Sequence, residues 1–471
     1  MFLDDTIVAI STPIGEGGIG IVRVSGNQAI SISERIFLSP NGLTLNNTKS
    51  HTIVHGFVIN AATGEKIDEV LVTVMRAPKS YTREDVVEIN CHGGMLPLRD
   101  TLQSLLREGA RIAEPGEFTR RAFLNGRIDL TQAEAVIDVI RAKTERAEKV
   151  ALQQLEGRLS ARINAVSDSI ADLCAHIEAS IDFPDDEIQL VEKEEIIDSI
   201  RGISKELIGL ARSYDEGKFF RDGVATAIVG KPNVGKSSLL NALIQKNRAI
   251  VTSLPGTTRD IVEDYLNVDG LPLRIMDTAG IRDPCDLAER EGVKRSLKAI
   301  EDADIVIAVL DASRPLDEAD RELIEKVSLK KTLFVLNKCD IIDSAFKILD
   351  SEKDFSFSNV PYNIPSPVMM VSALTGCGID NLKHAIHALC ISSDNPNPAG
   401  EILITNVRHK QSLDNALKAL QDSEESFQRN DPPEVTALFL REGLDFLGEI
   451  IGVVTSEDIL NRIFSSFCIG K

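Results

Sequence analysis

The residues best equipped for chemistry open the segment GKPNVGKSSLLNAL, which begins at Gly230. Its spacing matches G-x-x-x-x-G-K-[ST], it follows the apolar run VATAIV, and it leads into a helix-like pattern, the context the motif needs. In that setting successive backbone N–H groups converge at a helix N-terminus, where the dipole favours phosphate. Lys236 is then set to reach the β- and γ-phosphates, and the Ser237 hydroxyl to bind Mg²⁺. Three more segments follow in order, each at the end of an apolar run. MDTAG brings Asp277, suited to hold Mg²⁺ through water, and Gly280, suited to a backbone bond with the γ-phosphate. NKCD brings Asn337, Lys338 and Asp340. The Asp340 carboxylate can accept both N1–H and N2–H₂ of guanine, two donors that adenine does not present. VSAL brings Ser372 and Ala373, whose backbone can meet the guanine O6. Together the four segments identify a GTP-binding domain.

Hydrolysis needs an oriented water. Many GTPases place glutamine directly after the DxxG segment; here that position is Ile281, which cannot hydrogen-bond water. Asp283, Asp286, Glu289 and Glu291 lie just beyond, and spacing alone does not choose among them. In VTSLPGTTRD (251–260), Thr257 or Thr258 would complete Mg²⁺ coordination. Asn233 and the polar TSLPGTT segment could also surround a monovalent cation beside the phosphates, supplying charge that an arginine finger gives elsewhere. A last reactive group, the Cys468 thiol, lies three residues from the chain end, where fraying is expected. Taken alone it reads as a packed or inert thiol.

These groups need a scaffold, and 471 residues exceed what one core usually holds. Residues 1–121 alternate β-branched runs (TIVAIS, GIGIVRVSG, HTIVHGFVI, EVLVTVM, DVVEINCHGG) with one helix ending at Gly109, an α+β unit. Residues 122–221 carry apolar positions at helical spacing. Residues 222–391 alternate strands with helices, the pattern of a mostly parallel sheet. Residues 392–471 begin with the linker SSDNPNPAG and turn helical again. The simplest architecture is an α/β domain inserted into a discontinuous all-α one. Seven cysteines without a CxxC pair suit reduced thiols rather than a zinc site. There is no membrane-length apolar run and no basic, signal-like N-terminus, which points to the cytoplasm. A net charge of −20 repels nucleic acid as a whole, so any RNA must meet a local basic patch or be held by another protein. The GEGGIG match at 15–20 precedes a strand-like run, so it reads as a turn rather than a dinucleotide loop. His384 and His387 are spaced i, i+3 on a helix and lack companions for a metal; FPDDE (183–187) reads as a solvated loop.

With these residues in view, the chain resembles the MnmE (TrmE) family of bacterial tRNA-modification GTPases, within the TrmE-Era-EngA-Septin-like group. The resemblance runs end to end through DTIVAISTPIGEGGIGIVRVSG, SYTREDVVEINCHGG, EPGEFTRRAFLNGRIDLTQAEAV, GKPNVGKSS, GTTRD and the terminal FCIGK. It implies an N-terminal folate-binding and dimerisation domain, a discontinuous helical domain, and an inserted Ras-like P-loop G domain. Members form homodimers whose G domains meet when K⁺ and GTP bind. The implied K⁺ ligands are Asn233, Thr252, Leu254 and Thr257; Ser237 and Thr258 would hold Mg²⁺; Glu289 would position the hydrolytic water, beside Lys236. The implied GTP contacts span Asn233, Val234, Gly235, Lys236, Ser237 and Ser238, then Thr252, Ser253, Leu254, Pro255, Gly256, Thr257 and Thr258. They continue through Asp277, Thr278, Ala279 and Gly280, then Asn337, Lys338 and Asp340, then Ser372, Ala373 and Leu374. For a tetrahydrofolate derivative (5-formyl or 5,10-methylene) the matching residues are Arg23, Glu88, Arg127 and Lys471, with basic groups suited to the glutamate tail and the carboxylate to the pterin's donor edge. Within FCIGK, Cys468 becomes a functional residue pointing towards the folate. Arg83 stands where the family pattern has glycine (SYTGED), and Asn90 where histidine is common.

The resemblance further implies a heterotetramer with the FAD-containing MnmG. Its task is to add a carboxymethylaminomethyl or aminomethyl group at C5 of wobble uridine 34 of certain tRNAs, the tRNA being met through the complex. Two other readings compete. A ribosome-assembly GTPase of the Der kind would carry two phosphate loops, and one of the Era kind a basic RNA-binding tail; this chain has one loop and an acidic, helical tail. The third is a folate enzyme with GTP as a regulator only.

Overall fold

The computed structural model describes residues 5–182, 193–245, 264–276, 298–341, 367–391 and 402–471. The chain starts as β1 (Ile7–Ile10), β2 (Gly17–Ser25), α1 (Ala29–Arg35), β3 (Phe37–Leu38), β4 (Thr52–Ile59), β5 (Lys66–Met75), β6 (Val86–Gly93), α2 (Met95–Arg107) and β7 (Arg111–Ile112). The strands form one seven-stranded sheet in the order β3-β4-β5-β6-β2-β1-β7. Its pairs are antiparallel except β1 with β7. Alternation along β2, β4, β5 and β6 sends Val22, Val54, Val72 and Val87 into a core shared with Ile32, Leu98 and Leu105. The sequence led us to expect one helix here, but there are two. The missed one is AISISER, to which our sequence reading assigned no element because its isoleucines alternate instead of following a helical spacing; it buries Ala29, Ile30 and Ile32. The GEGGIG segment runs straight into β2 and opens no helix, and its Gly93 neighbour on β6 lies so close that a Cβ there would meet the Gly17 carbonyl.

Helix α3 (Glu117–Leu124) begins five residues before the expected change of pattern. Its Phe118 packs against Ile7, Ala9 and Ala113, which ties its first turn to the sheet edge. Next come α4 (Leu130–Arg141), α5 (Glu145–Leu155), α6 (Arg158–Asp182), α7 (Lys193–Arg212) and α8 (Tyr214–Asp222). What reads as one helical run is broken by caps: Asp129 and Gln132 form a capping box on α4, and the Thr144 hydroxyl caps α5.

The α/β unit comprises β8 (Val224–Val229), α9 (Lys236–Gln245), β9 (Asp264–Val268), β10 (Leu271–Met276), β11 (Ile305–Asp311), α10 (Glu318–Val327), β12 (Thr332–Asn337), β13 (Val368–Met370) and α11 (Ile379–Cys390). Strand order is β13-β12-β11-β8-β10-β9, parallel except for the β9–β10 hairpin. VATAIV, IVIAVLD and TLFVLN are buried at every position, as strands covered on both faces must be.

The chain returns as α12 (Val407–Gln428), α13 (Pro433–Ile451) and α14 (Glu457–Phe464). Leu413, Leu420, Leu440 and Leu447 of these helices share a core with Leu159, Ile163, Ile170 and Ile200 of α6 and α7. The helices before and after the α/β unit therefore form one body. A buried polar clasp joins them: Glu134 on α4 accepts from Arg408 Nη2 at 3.0 Å, His409 Nε2 at 2.7 Å and Asn406 Nδ2 at 3.0 Å. Burial alone would raise the Glu134 pKa, but the contacts with His409 and Arg408 outweigh it and hold it at about 2. Burial pushes the His409 pKa down, against the upward pull of the Glu134 carboxylate. The α/β unit rests on α5 through the Thr144 hydroxyl, which donates to the Gly270 carbonyl at 2.7 Å, and through Arg146, 3.2 Å from His387 Nε2. His384 in turn pairs with Asp269 at 3.1 Å.

Candidate functional site

Two clusters of the expected residues are brought together, far apart in construction. The first lies at the C-terminal ends of β8, β12 and β13. The chain leaves β8 through Gly230 (φ 155°), Asn233 (φ 64°) and Gly235 (φ 97°) and enters α9 at Lys236. The glycines are steric requirements: a Cβ on Gly230 would sit 2.4 Å from the Val309 carbonyl oxygen. One on Gly235 would sit 2.3 Å from Asn337 Nδ2. Lys236 Nζ folds back to donate to the carbonyls of Gly230 and Lys231, both at 2.8 Å, and burial pushes its pKa down. An anionic phosphate is the partner that would draw this ammonium away from two neutral carbonyls. The loop therefore fits a nucleotide phosphate. Lys231 anchors it to α10 through Asp317 and Asp320.

Asn337 does something the motif does not announce. Fully buried, it donates from Nδ2 to the Val234 carbonyl at 2.9 Å and accepts from Ala373 N–H at 3.0 Å. One side chain thus links the phosphate loop to the guanine-facing segment. Lys338, at φ 69°, donates to Asp311 Oδ2 at 2.7 Å. Burial works to raise the Asp311 pKa, but bonds from Lys338 and Ser313 prevail and lower it. Asp340 sits exposed on a short turn, Cys339–Ile341. The buried Ser372 hydroxyl accepts from Thr375 N–H at 3.1 Å, and Leu374 stands 86% exposed at the rim. Val234 is buried, while Ser237 and Ser238 lie on the first turn of α9. Thr252, Ser253, Leu254, Pro255, Gly256, Thr257, Thr258, Asp277, Thr278, Ala279, Gly280 and Glu289 lie outside the described residues.

The second cluster gathers the two ends of the chain. Phe464 and Phe467 are buried with Leu130, Ala133, Ile137 and Leu460, anchoring the segment after α14. Beyond them Arg141 Nη2 donates to the Ser466 carbonyl at 2.7 Å, Gly116 N–H donates to the Cys468 carbonyl at 3.4 Å, and Pro115 and Ile469 form an antiparallel bridge. At Gly470 (φ 95°) the backbone passes so near β1 that a Cβ would come within 2.5 Å of the Ile10 carbonyl oxygen. Arg23 Nη1 then donates to the Gly470 carbonyl at 3.2 Å, while its Nε pairs with Glu88 at 2.8 Å. The tail that sequence position marks for fraying is docked. Cys468 is exposed within it. Lys471 is half-buried, and burial together with the charge of Arg23 pushes its pKa down. Two crowded cations beside a carboxylate fit a ligand that carries both acid groups and N–H donors, as a folate does.

Arg127 joins them through an aromatic residue that our sequence reading passed over. Tyr81 lies 4.7 Å from the Arg127 guanidinium and 5.8 Å from that of Arg23, measured to the ring centre. Arg127 also donates to the Tyr81 carbonyl at 3.2 Å, and the Tyr81 hydroxyl meets Thr119 at 2.9 Å. The only sequence signal for Tyr81 was its place in SYTRED. The loop bearing it is held by Arg121, fully buried, which donates to Asp5 at 2.6 Å, Glu117 at 3.0 Å and Glu84 at 3.1 Å. Arg83 takes the left-handed conformation, φ 60°, and donates to the Asn125 carbonyl at 2.9 Å. That explains why glycine suits the position. Asn90 donates across the sheet to the Leu71 carbonyl at 2.8 Å.

A mostly parallel sheet with a glycine-shaped phosphate loop and a lysine at the following helix start, set in a helical body, defines a P-loop GTPase with accessory domains. Comparison with known proteins narrows this. The family model for the TrmE N-terminus of GTP-binding proteins matches residues 6–127, and that for the MnmE helical domain matches residues 130–468. The tRNA modification GTPase MnmE of Acetivibrio thermocellus is 44% identical over 471 residues, covering all of both chains. That of Carboxydothermus hydrogenoformans is 46% identical over 473 residues, again covering both completely. The crystal structure of Aquifex aeolicus Era bound to GDP·AlF4⁻ is 24% identical, covering 41% of this chain and 65% of that one at a TM-score of 0.25. The chain belongs to the MnmE family of tRNA modification GTPases. Among the described residues no helix is long and apolar enough to cross a membrane.

Proposed function

We propose that GTP hydrolysis in this chain drives folate-dependent addition of a carboxymethylaminomethyl or aminomethyl group at C5 of uridine 34 of certain tRNAs, with MnmG as partner to a homodimer. The observation that supports it best is the docked tail: a terminal segment with a thiol and a lysine is bonded to an N-terminal arginine 447 positions away. A packing role alone would end at Phe467; the chain continues into the cleft.

In the nucleotide site, Lys236 would exchange its two loop carbonyls for β- and γ-phosphate oxygens and offset the charge that develops there. Ser237 and Thr258 would hold Mg²⁺, and Asn233, Thr252, Leu254 and Thr257 a K⁺ that does the work of an arginine finger. With Ile281 unable to bind water, Glu289 would orient it. In the second cleft, Arg127 and Lys471 would hold the folate's carboxylates, and Glu88, paired with Arg23, its pterin. A bound tetrahydrofolate would supply the one-carbon unit. Cys468, exposed in the docked tail, would be accessible to tRNA-bound chemistry at the edge of that cleft.

Nucleoside analysis of tRNA tests this. Cells relying on a Cys468→Ser variant should lack the modified uridine, while the purified variant keeps its GTP turnover and the acceleration by K⁺ over Na⁺. Normal modified uridine in that strain would remove the thiol from the reaction, and indifference to K⁺ would remove the cation.

A further inference from the structure

Beside Tyr81, on the outer side of Arg127, the surface dips into an open groove of ≈ 450 Å³ lined by His51, Met75, Pro78, Lys79, Ser80, Tyr81 and Arg127. Neither Lys79 nor Arg127 pairs with a carboxylate among the described residues. The nearest loop carboxylates are engaged elsewhere: Glu84 with Arg121 and Ser25, Asp85 with the Ala77 N–H. Arg127 is fixed by its bond to the Tyr81 carbonyl and by the ring beneath it, so its guanidinium is preorganised. Met75 and Pro78 supply an apolar floor.

The groove shares Tyr81 and Arg127 with the cleft described above, and the guanidiniums of Arg23 and Arg127 lie 5.8 and 4.7 Å from the centre of the Tyr81 ring. From Glu88 and Arg23, past Tyr81, to Arg127 and Lys79, the surface passes from a mixed acid–base pair to uncompensated positive charge. A ligand following that path has hydrogen-bond donors at one end and repeated carboxylates at the other. The volume lies in the range of small-ligand clefts.

We infer that this groove is a subsite for the γ-linked glutamate chain of a polyglutamylated folate, with Lys79 and Arg127 binding successive carboxylates and His51 at the mouth. The inference rests on the folate reading and extends it: cellular folates carrying several glutamates are the form this protein selects. The methylene pairs of the glutamyl units lie over Met75 and Pro78.

Titration calorimetry on the full-length protein with 5-formyl-tetrahydrofolate bearing one glutamate or five tests it. The wild-type chain should bind the longer ligand about tenfold more tightly, the worth of two partly exposed ion pairs. Lys79→Glu should abolish that gain and leave the affinity for the monoglutamate within about twofold. Equal affinity for both ligands in the wild type, or a gain retained in Lys79→Glu, overturns the subsite while the folate reading stands. If neither ligand binds, the folate reading falls and this inference with it. A short oligouridylate serves as a competing probe: RNA binding that Lys79→Glu abolishes, without any glutamate-dependent gain, overturns the assignment in favour of a phosphate-tracking surface.

Discussion

The nucleotide loop and the C-terminal cleft are built by opposite means. The loop is one continuous stretch whose shape is set by Gly230, Asn233 and Gly235 in positive-φ conformations, with Asn337 as a strut from the end of β12, two strands away from β8. The cleft has no contiguous core at all. Arg23 comes from β2, Glu88 from β6, Arg127 from the turn before α4, and Gly470 from the last residues. The first is a local backbone design that works wherever a parallel strand feeds a helix, and it can be moved between proteins. The second exists only if the helical body and the N-terminal sheet are docked correctly. It therefore depends on their relative position.

The sharpest way to break the comparison is Lys236→Ala. GTP turnover should fall on the order of 10³-fold, since the lysine meets charge that develops during phosphoryl transfer. Folate affinity and the thermal midpoint should be unchanged. Single-turnover hydrolysis beside folate titration reads both; a parallel fall in folate affinity would show that the two sites are not separately built.

Gly470→Ala addresses the other side with a smaller effect. The added methyl must sit in the left-handed region, at a cost of about 1–2 kcal/mol, and against the Ile10 carbonyl at 2.5 Å. The tail should lift, so that folate affinity and uridine modification drop by about tenfold or more while GTP turnover stays within twofold. Limited proteolysis should show faster cleavage after Phe467. A tail that remains protected with modification intact would mean that the Arg23–Gly470 contact carries nothing.

This difference in construction decided what could be read from the chain. The phosphate loop, NKCD and VSAL segments were legible because residue type, order and strand context are all local. The role of Asn337 as a strut was not, because it depends on a partner 103 positions away. The mostly parallel sheet and the shared core of the helices before and after residues 224–390 followed from periodicity and element order. AISISER did not, because alternation on a short segment cannot tell a helix from a strand. In the cleft, the charged members came from the family resemblance. Tyr81, which physically joins Arg23 to Arg127, was silent, because a lone tyrosine carries no spacing rule. The placing of the tail likewise came only from the resemblance in FCIGK: fraying is the default for a terminus, and what overrides it, Phe464 and Phe467 buried against α4 and the bonds from Gly116 and Arg23, lies far away in sequence.

Left-handed residues sharpen the comparison at the smallest scale. Asn233 and Lys338 in the nucleotide site and Arg83 beside the cleft all have positive φ without being glycine. In the nucleotide site that geometry aims backbone groups and a lysine, so relieving it should cost affinity: Asn233→Gly and Lys338→Gly should weaken GTP binding even where they leave the fold intact. Arg83 aims nothing into the cleft; its side chain reaches back to the Asn125 carbonyl. Arg83→Gly releases about 1–2 kcal/mol of backbone strain. Against this stand about 0.5 kcal/mol for an exposed hydrogen bond and about 0.7 kcal/mol for the looser unfolded chain. The balance runs from near neutral to a stabilisation of about 0.8 kcal/mol, a rise in the unfolding midpoint of a few degrees or less. Folate affinity should not move. A destabilised variant, or one with weakened folate binding, would make the turn at Arg83 part of the cleft's machinery, and the strain there functional in the same sense as at Asn233.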